Sequence, residues 1–72
     1  MSADDLIEIE GVVIDVFPGG KFEVETDAGS KVEAHLAGKL RKHRIRVVLG
    51  DAVTVAVSPY DLSKGRIVFR HK

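Results

Sequence analysis

The sequence predicts an all-β fold, a five-stranded antiparallel barrel with one short helix between its third and fourth strands. Three observations lead there. Glycine and proline cut the 72 residues into short segments. Within most segments apolar residues alternate with polar ones, the period of two that marks a half-buried strand. One segment, around Gly38 to Arg46, breaks the alternation and is made largely of good helix formers. The length allows one domain, residues 1–72, with a small core.

Each element follows from its residues. Leu6 to Phe17 is rich in β-branched residues and carries Gly11 inside it. An interior glycine in a strand suggests a bulge or tight bend. Ile7 and Ile9 share one parity and Val12, Ile14 and Val16 the other, so the inward face is expected to switch near Gly11. Pro18-Gly19-Gly20 reads as a turn. Phe22, Val24 and Thr26 then alternate with Lys21, Glu23, Glu25 and Asp27. Asp27-Ala28-Gly29-Ser30 supplies a hairpin loop. Val32, Ala34 and Leu36 alternate with Lys31, Glu33 and His35. Connections this short make the first three strands an antiparallel meander.

Gly38 to His43 reads as a helix of one or two turns, with Leu40 as its large apolar side chain. Ile45, Val47 and Val48 lead out of it to a turn at Gly50-Asp51. Val53, Val55 and Val57 alternate with Ala52, Thr54, Ala56 and Ser58, and Pro59 stops that strand. Tyr60 to Gly65 reads as a loop. Ile67 and Phe69 flank Val68 in the last strand, and Phe69 is assigned, with Phe22, to the core. A sheet of five uneven strands removes its exposed edges by closing on itself. The order strand-strand-strand-helix-strand-strand is that of the oligonucleotide-binding (OB) barrel. An SH3-like barrel, the alternative, lacks a helix at that place.

Charge says more than composition. Eleven basic residues balance eleven acidic ones, yet the two halves differ. Residues 1–36 hold nine acids and two bases, a net of −7, and residues 37–72 hold nine bases and two acids, a net of +7. Such asymmetry points to a polyanionic partner. There is no cysteine, so no disulfide framework and no thiolate chemistry. No apolar run approaches the roughly 20 residues of a membrane helix, and the acidic start is unlike a leader peptide. The expectation is a cytoplasmic domain without membrane association.

No catalytic set emerges. His35, His43 and His71 lack the spacing that puts two imidazoles on one helix face. The serines and threonines have no nucleophile context. Gly19-Gly20 lacks the lysine and helix of a phosphate loop. A non-enzyme with no cofactor and no metal is expected. The basic residues are better placed for chemistry. Lys39, Arg41, Lys42, Arg44 and Arg46 fall within eight residues, and Lys64, Arg66 and Arg70 form a second cluster. Brought to one side of a barrel, the two would make a footprint for phosphates. The chain has only four aromatic rings, Phe17, Phe22, Tyr60 and Phe69. With two of them assigned to the core, few remain for stacking bases. Recognition of a folded RNA through backbone, shape and 2′-hydroxyl contacts is therefore expected.

Several segments resemble bacterial translation initiation factor one. They are Ala34-His35-Leu36-Ala37-Gly38-Lys39-Leu40-Arg41-Lys42, Ile45-Arg46, Gly50-Asp51, and above all Ser58-Pro59-Tyr60-Asp61-Leu62-Ser63-Lys64-Gly65-Arg66-Ile67-Val68-Phe69-Arg70. The resemblance implies a monomeric OB barrel that binds the 30S ribosomal subunit at the aminoacyl-tRNA site, between 16S rRNA and a ribosomal protein. It implies assistance to the other initiation factors and exclusion of premature tRNA. It also implies rRNA contacts from Lys39, Arg41, Lys42, Arg46, Lys64, Arg66 and Arg70, and Arg44 adds a cation where the family commonly has tyrosine. Glu23 stands where the family often has a base, and Ala28-Gly29 where it has Asn-Gly. A general OB-type RNA-binding or chaperone module is the alternative from another class. A barrel whose acidic half docks a basic protein is a third.

Overall fold

The computed structural model describes residues 6–43 and 45–71. The elements are β1 (Ile7–Phe17), β2 (Lys21–Thr26), β3 (Lys31–Leu36), α1 (Gly38–Lys42), β4 (Ala52–Ser58) and β5 (Asp61–His71). They close into a barrel of order β1-β2-β3-β5-β4. The helix lies between β3 and β4, as the sequence predicts.

The expectation of a purely antiparallel sheet is corrected. β3 and β5 run parallel, pairing Glu33 with Lys64, Ala34 with Gly65, His35 with Arg66 and Leu36 with Ile67. The reason is one of parity. Strand direction can alternate all the way round a closed ring only if the number of strands is even. With five strands one neighbouring pair must run parallel, and here it is the pair that closes the barrel.

The long strand β1 belongs to both halves of the barrel. Its first half pairs with β4 and its second half with β2, and Gly11 and Val12 pair on both sides. Gly11 is not a bulge, as the sequence suggested, but a point of close approach. A Cβ there would lie 2.6 Å from Val24 Cγ1 and 2.7 Å from the Glu25 carbonyl oxygen. The register slips instead between Val13 and Asp15. The inward face therefore runs through Gly11 to Val13, both buried, and Val12 stays outside. Beyond the slip Val16 falls opposite Phe22 yet remains exposed.

A second slip corrects the assignment of Phe69 to the core. Val55 pairs with Ile67 and Thr54 with Phe69, so Val68 is an extra residue in β5. One extra residue reverses strand parity. Ile67 is fully buried, whereas Phe69 is 54% exposed. A third irregularity, between Val57 and Ser58, absorbs the segment that reads as a loop. β5 begins at Asp61 rather than beyond Gly65. Its start is organised by Asp61, whose Oδ1 accepts from the Ser63 hydroxyl at 2.6 Å and the Ser63 N–H at 3.1 Å. These bonds to Ser63 hold the Asp61 carboxyl below its usual pKa.

The core is mostly valine. Val13, Val24, Val32, Val53, Val55, Val57 and Ile67 are the large, fully buried side chains, joined by Phe22, Leu40 and Val47. β-Branched side chains suit a pleated interior of this width. Thr54 and Ala56, expected on the polar face of β4, are also buried. The cost of burying the Thr54 hydroxyl is offset by hydrogen bonds. It donates to Glu10 Oε2 at 2.8 Å and lies 2.8 Å from His71 Nε2. No buried side-chain polar atom is left without a partner among the described residues.

Two substitutions test this packing. Val55→Asp places an unpaired charge in the core, and its cost of several kcal/mol rivals the roughly 5–15 kcal/mol stability of a small domain. The variant should lack a cooperative thermal transition by circular dichroism; a native melting curve would place Val55 outside the core. Gly65→Val tests the seam between β4 and β5. A Cβ at Gly65 would meet the Ala56 carbonyl oxygen at 2.5 Å and Val57 Cγ1 at 2.6 Å. Backbone cannot yield as a side-chain end can, so a loss of at least about 2 kcal/mol in urea unfolding is expected. Unchanged stability would mean that the seam has room the structure does not show.

Candidate nucleic-acid interface

Lys39, Arg41, Lys42 and Arg46 are exposed because their neighbours are anchored. In α1 only Leu40 is buried, and Lys39, Arg41 and Lys42 face solvent. All three sit in the last turn, where cations complement the exposed carbonyls of a helix end. The His43 N–H bonds to the Lys39 carbonyl and the Ile45 N–H to the Leu40 carbonyl. Ile45 packs against the core and Val47 is buried within it, so Arg46 between them projects outward. Arg44 lies outside the described residues.

Two main-chain contacts tie this segment to the second cluster. The Ala37 N–H donates to the Ile67 carbonyl at 2.9 Å, which fixes the start of α1 against β5. The Arg70 guanidinium donates to the Arg46 carbonyl. Residues 24 positions apart in sequence are thus held together. The structure therefore joins Arg70 directly to the main chain at Arg46, in the segment that follows α1.

Lys64 and Arg66 lie farther along the β3–β5 seam, opposite Glu33 and His35. They line an open groove of about 390 Å³ together with Lys21, His35 and Ser58. Within it Lys21 Nζ is 3.6 Å from Glu33 Oε2. Lys21 and His35 are absent from the sequence-based site. Alternation does put both on polar strand faces, but their approach to Lys64 and Arg66 depends on the parallel pairing, which short connections do not foretell. The bases are brought to two places rather than one point: Arg70 meets Arg46 beyond α1, and Lys64 and Arg66 line the groove.

Exposed rings are more numerous than expected. Tyr60 is 77% exposed at the β4–β5 hairpin, and Phe17 is 38% exposed beside the β1–β2 turn. With Phe69 that leaves only Phe22 buried. Among the described residues no group of three or more His, Asp or Glu side chains is arranged to hold a metal ion. None of the described helices is long and apolar enough to cross a membrane. The arrangement offers cations, main-chain donors and a few rings, which can hold phosphates and bases.

Known proteins resemble this chain along its whole length. Translation initiation factor IF-1 of Solibacter usitatus is 56% identical over 72 residues, all of both chains. That of Rhodospirillum rubrum is 51% identical, covering all of this chain and 76% of the other protein. The solution structure of the initiation factor of the same name from the Wolbachia endosymbiont of Brugia malayi superposes with a TM-score of 0.82 at 38% identity. The match spans 99% of this chain and 84% of that one. A likeness to YjeQ from Thermotoga maritima, TM-score 0.73 at 24% identity over 92% of this chain and 23% of that one, concerns the fold alone. Residues 2–72 match the family described as translation initiation factor 1A / IF-1, and the chain belongs to that family of OB-fold initiation factors.

Proposed function

We propose that this translation initiation factor binds the 30S subunit at the aminoacyl-tRNA site through 16S rRNA. It acts there by occupancy in the cytoplasm: it makes and breaks no bond, assists the other initiation factors and keeps tRNA from entering prematurely. Membership of the initiation-factor family supports a role on the ribosome. The observation that carries the RNA reading is the joining of two basic clusters. The bond between Arg70 and the Arg46 carbonyl and the seam bearing Lys64 and Arg66 collect cations from separate parts of the chain. Lys39, Arg41, Lys42, Arg44, Arg46, Lys64, Arg66 and Arg70 are the proposed contacts. Each phosphate they neutralise releases counterions and adds affinity that salt removes.

A shaped polyanion suits this surface better than a single strand of any sequence. The bases are carried by a closed barrel and a helix tied to it, so their spacing is set by the fold and favours one arrangement of phosphates. Long-range attraction brings the subunit in, and short contacts then select the site.

Charge reversal at two sites separates those contributions. Arg46→Glu and Lys31→Glu each change the net charge by −2, and both positions are exposed. The bond from Arg70 ends on the Arg46 main chain, so the substitution leaves its acceptor in place. Only Arg46→Glu should remove a charge-assisted bond to phosphate, of a kind worth roughly 1.5–3 kcal/mol. Titrated against 30S subunits at one salt concentration, Arg46→Glu should bind at least about tenfold more weakly than Lys31→Glu. The dependence of log affinity on log salt should also flatten by about 0.7–0.9 for each phosphate that is no longer neutralised. Equal weakening in two folded variants would contradict the basic-face reading. Equal binding of wild type to any unrelated single strand would favour a general RNA-binding module instead.

A further inference from the structure

Arg70 ties the two basic clusters together through the Arg46 carbonyl. It stands on the least-supported stretch of its strand. β5 pairs with β3 only from Lys64 to Ile67. From Phe69 to His71 its paired strand is β4 alone, through Thr54, Val53 and Ala52. A strand end paired on one side opens more readily than one held on both. Side chains alternate along that end. Arg70 stands opposite the fully buried Val53, whereas Phe69 and His71 lie together on the outer face.

A side-chain clasp fastens that outer face. His71 Nε2 lies 2.8 Å from Glu10 Oε1 and 2.8 Å from the Thr54 hydroxyl oxygen. The Thr54 hydroxyl has one proton and gives it to Glu10 Oε2, at 2.8 Å. Toward His71 it can therefore only accept. Nε2 must carry a proton, which it shares between Thr54 and Glu10. The three groups come from β5, β4 and β1, so the clasp reaches across β4 to a strand with which β5 does not pair. Thr54 is buried, which keeps water from competing for its bonds. The Phe69 ring meets the His71 ring edge-on, with centroids 4.9 Å apart.

We propose that His71, Thr54 and Glu10 are positioning residues for Arg70: the clasp holds the end of β5, so that the guanidinium stands at Arg46 before RNA arrives. An arginine has five N–H donors in a fixed fork, and the bond to the Arg46 carbonyl uses only part of it. The rest of the fork can take a phosphate. Ordering a loose strand end would be a cost of binding, and a strand end already held carries no such cost. The clasp residues need not touch RNA, and Glu10 has the wrong sign to do so. The proposal rests on the ribosome-binding reading above and adds to it the residues that set the geometry of Arg70.

The test uses the full chain and intact 30S subunits. Arg70→Ala should weaken binding at least about tenfold, as the loss of a charge-assisted contact requires. His71→Ala should weaken it at least about threefold. His71→Gln restores an amide N–H near the place of Nε2 at the same net charge as His71→Ala, and should bind within about twofold of wild type. In the Arg70→Ala background, His71→Ala should have no further effect. A residue acting only through barrel stability would move both backgrounds alike. Amide exchange of residues 69–71 in the free protein should quicken in His71→Ala and not in His71→Gln. Glu10→Ala removes an anion, which by charge alone favours a polyanion, yet it should weaken binding too. Thermal melts check that the variants are folded. Wild-type binding by folded His71→Ala, or by folded Glu10→Ala, would overturn the proposal. So would a His71→Ala effect equal in the two backgrounds, or weaker binding with unchanged amide exchange, which would make His71 a direct contact. If Arg70→Ala itself binds as wild type does, the RNA reading of Arg70 fails and this proposal with it. If Arg70→Ala weakens binding and His71→Ala does not, only the clasp is refuted.

Discussion

Five strands in a ring cannot alternate direction all the way round, and the chain meets that constraint at the parallel pairing of β3 with β5. The rest of the surface chemistry depends on this seam. It sets Arg66 beside His35 and Lys64 beside Glu33. It brings the Ile67 carbonyl to the Ala37 N–H, which fixes where α1 begins. On its other side β5 is close-packed against β4 at Gly65, where a Cβ would strike the Ala56 carbonyl. A barrel that failed to close would leave two sheet edges open. It would also leave its two basic clusters, 39–46 and 64–70, joined by the intervening chain alone.

Charge is sorted by the same geometry. The acidic residues of 1–36 lie mainly on β1 and β2, and the bases of 37–72 on α1, its following segment and β5. A net charge of zero therefore conceals an acidic and a basic part of the barrel. On an RNA-rich particle such a protein would orient before it touched anything. On β5 the slip at Val68 turns Phe69 outward, and Arg70, next in the chain, bonds to the Arg46 carbonyl.

Much of the fold is legible in the sequence, and what is not has physical causes. Phe22, Val24, Val32 and Val55 follow strict alternation and are buried as that pattern requires. The turns at Gly19-Gly20, Gly29 and Gly50 each contain glycine at positive φ. Phe69 escapes the pattern because one extra residue reverses the face of everything beyond it, and no local feature marks Val68. The same holds for the slip beyond Val13, which the glycine at position 11 signals two residues too early. Tyr60 to Gly65 reads as loop because its turn formers are real, yet Gly65 and Lys64 pair with β3. As for the candidate site, the cations are visible as two runs. Their junction through the Arg46 carbonyl, and the company of Lys21 and His35 in the groove, depend on long-range pairing that periodicity does not encode.

Barrel closure is expected to present bases distant in sequence to the ribosome together. Lysine reactivity, read by mass spectrometry after brief acylation with and without 30S subunits, tests it on the protein itself. Lys39 and Lys42 report on α1, Lys64 on the groove and Lys31 on the acidic half. All four are exposed in the free protein. The account predicts that Lys39, Lys42 and Lys64 lose reactivity together as subunits are added, with a common midpoint, while Lys31 stays reactive. Protection of Lys31 as strong as theirs, or protection of α1 without Lys64, would contradict it.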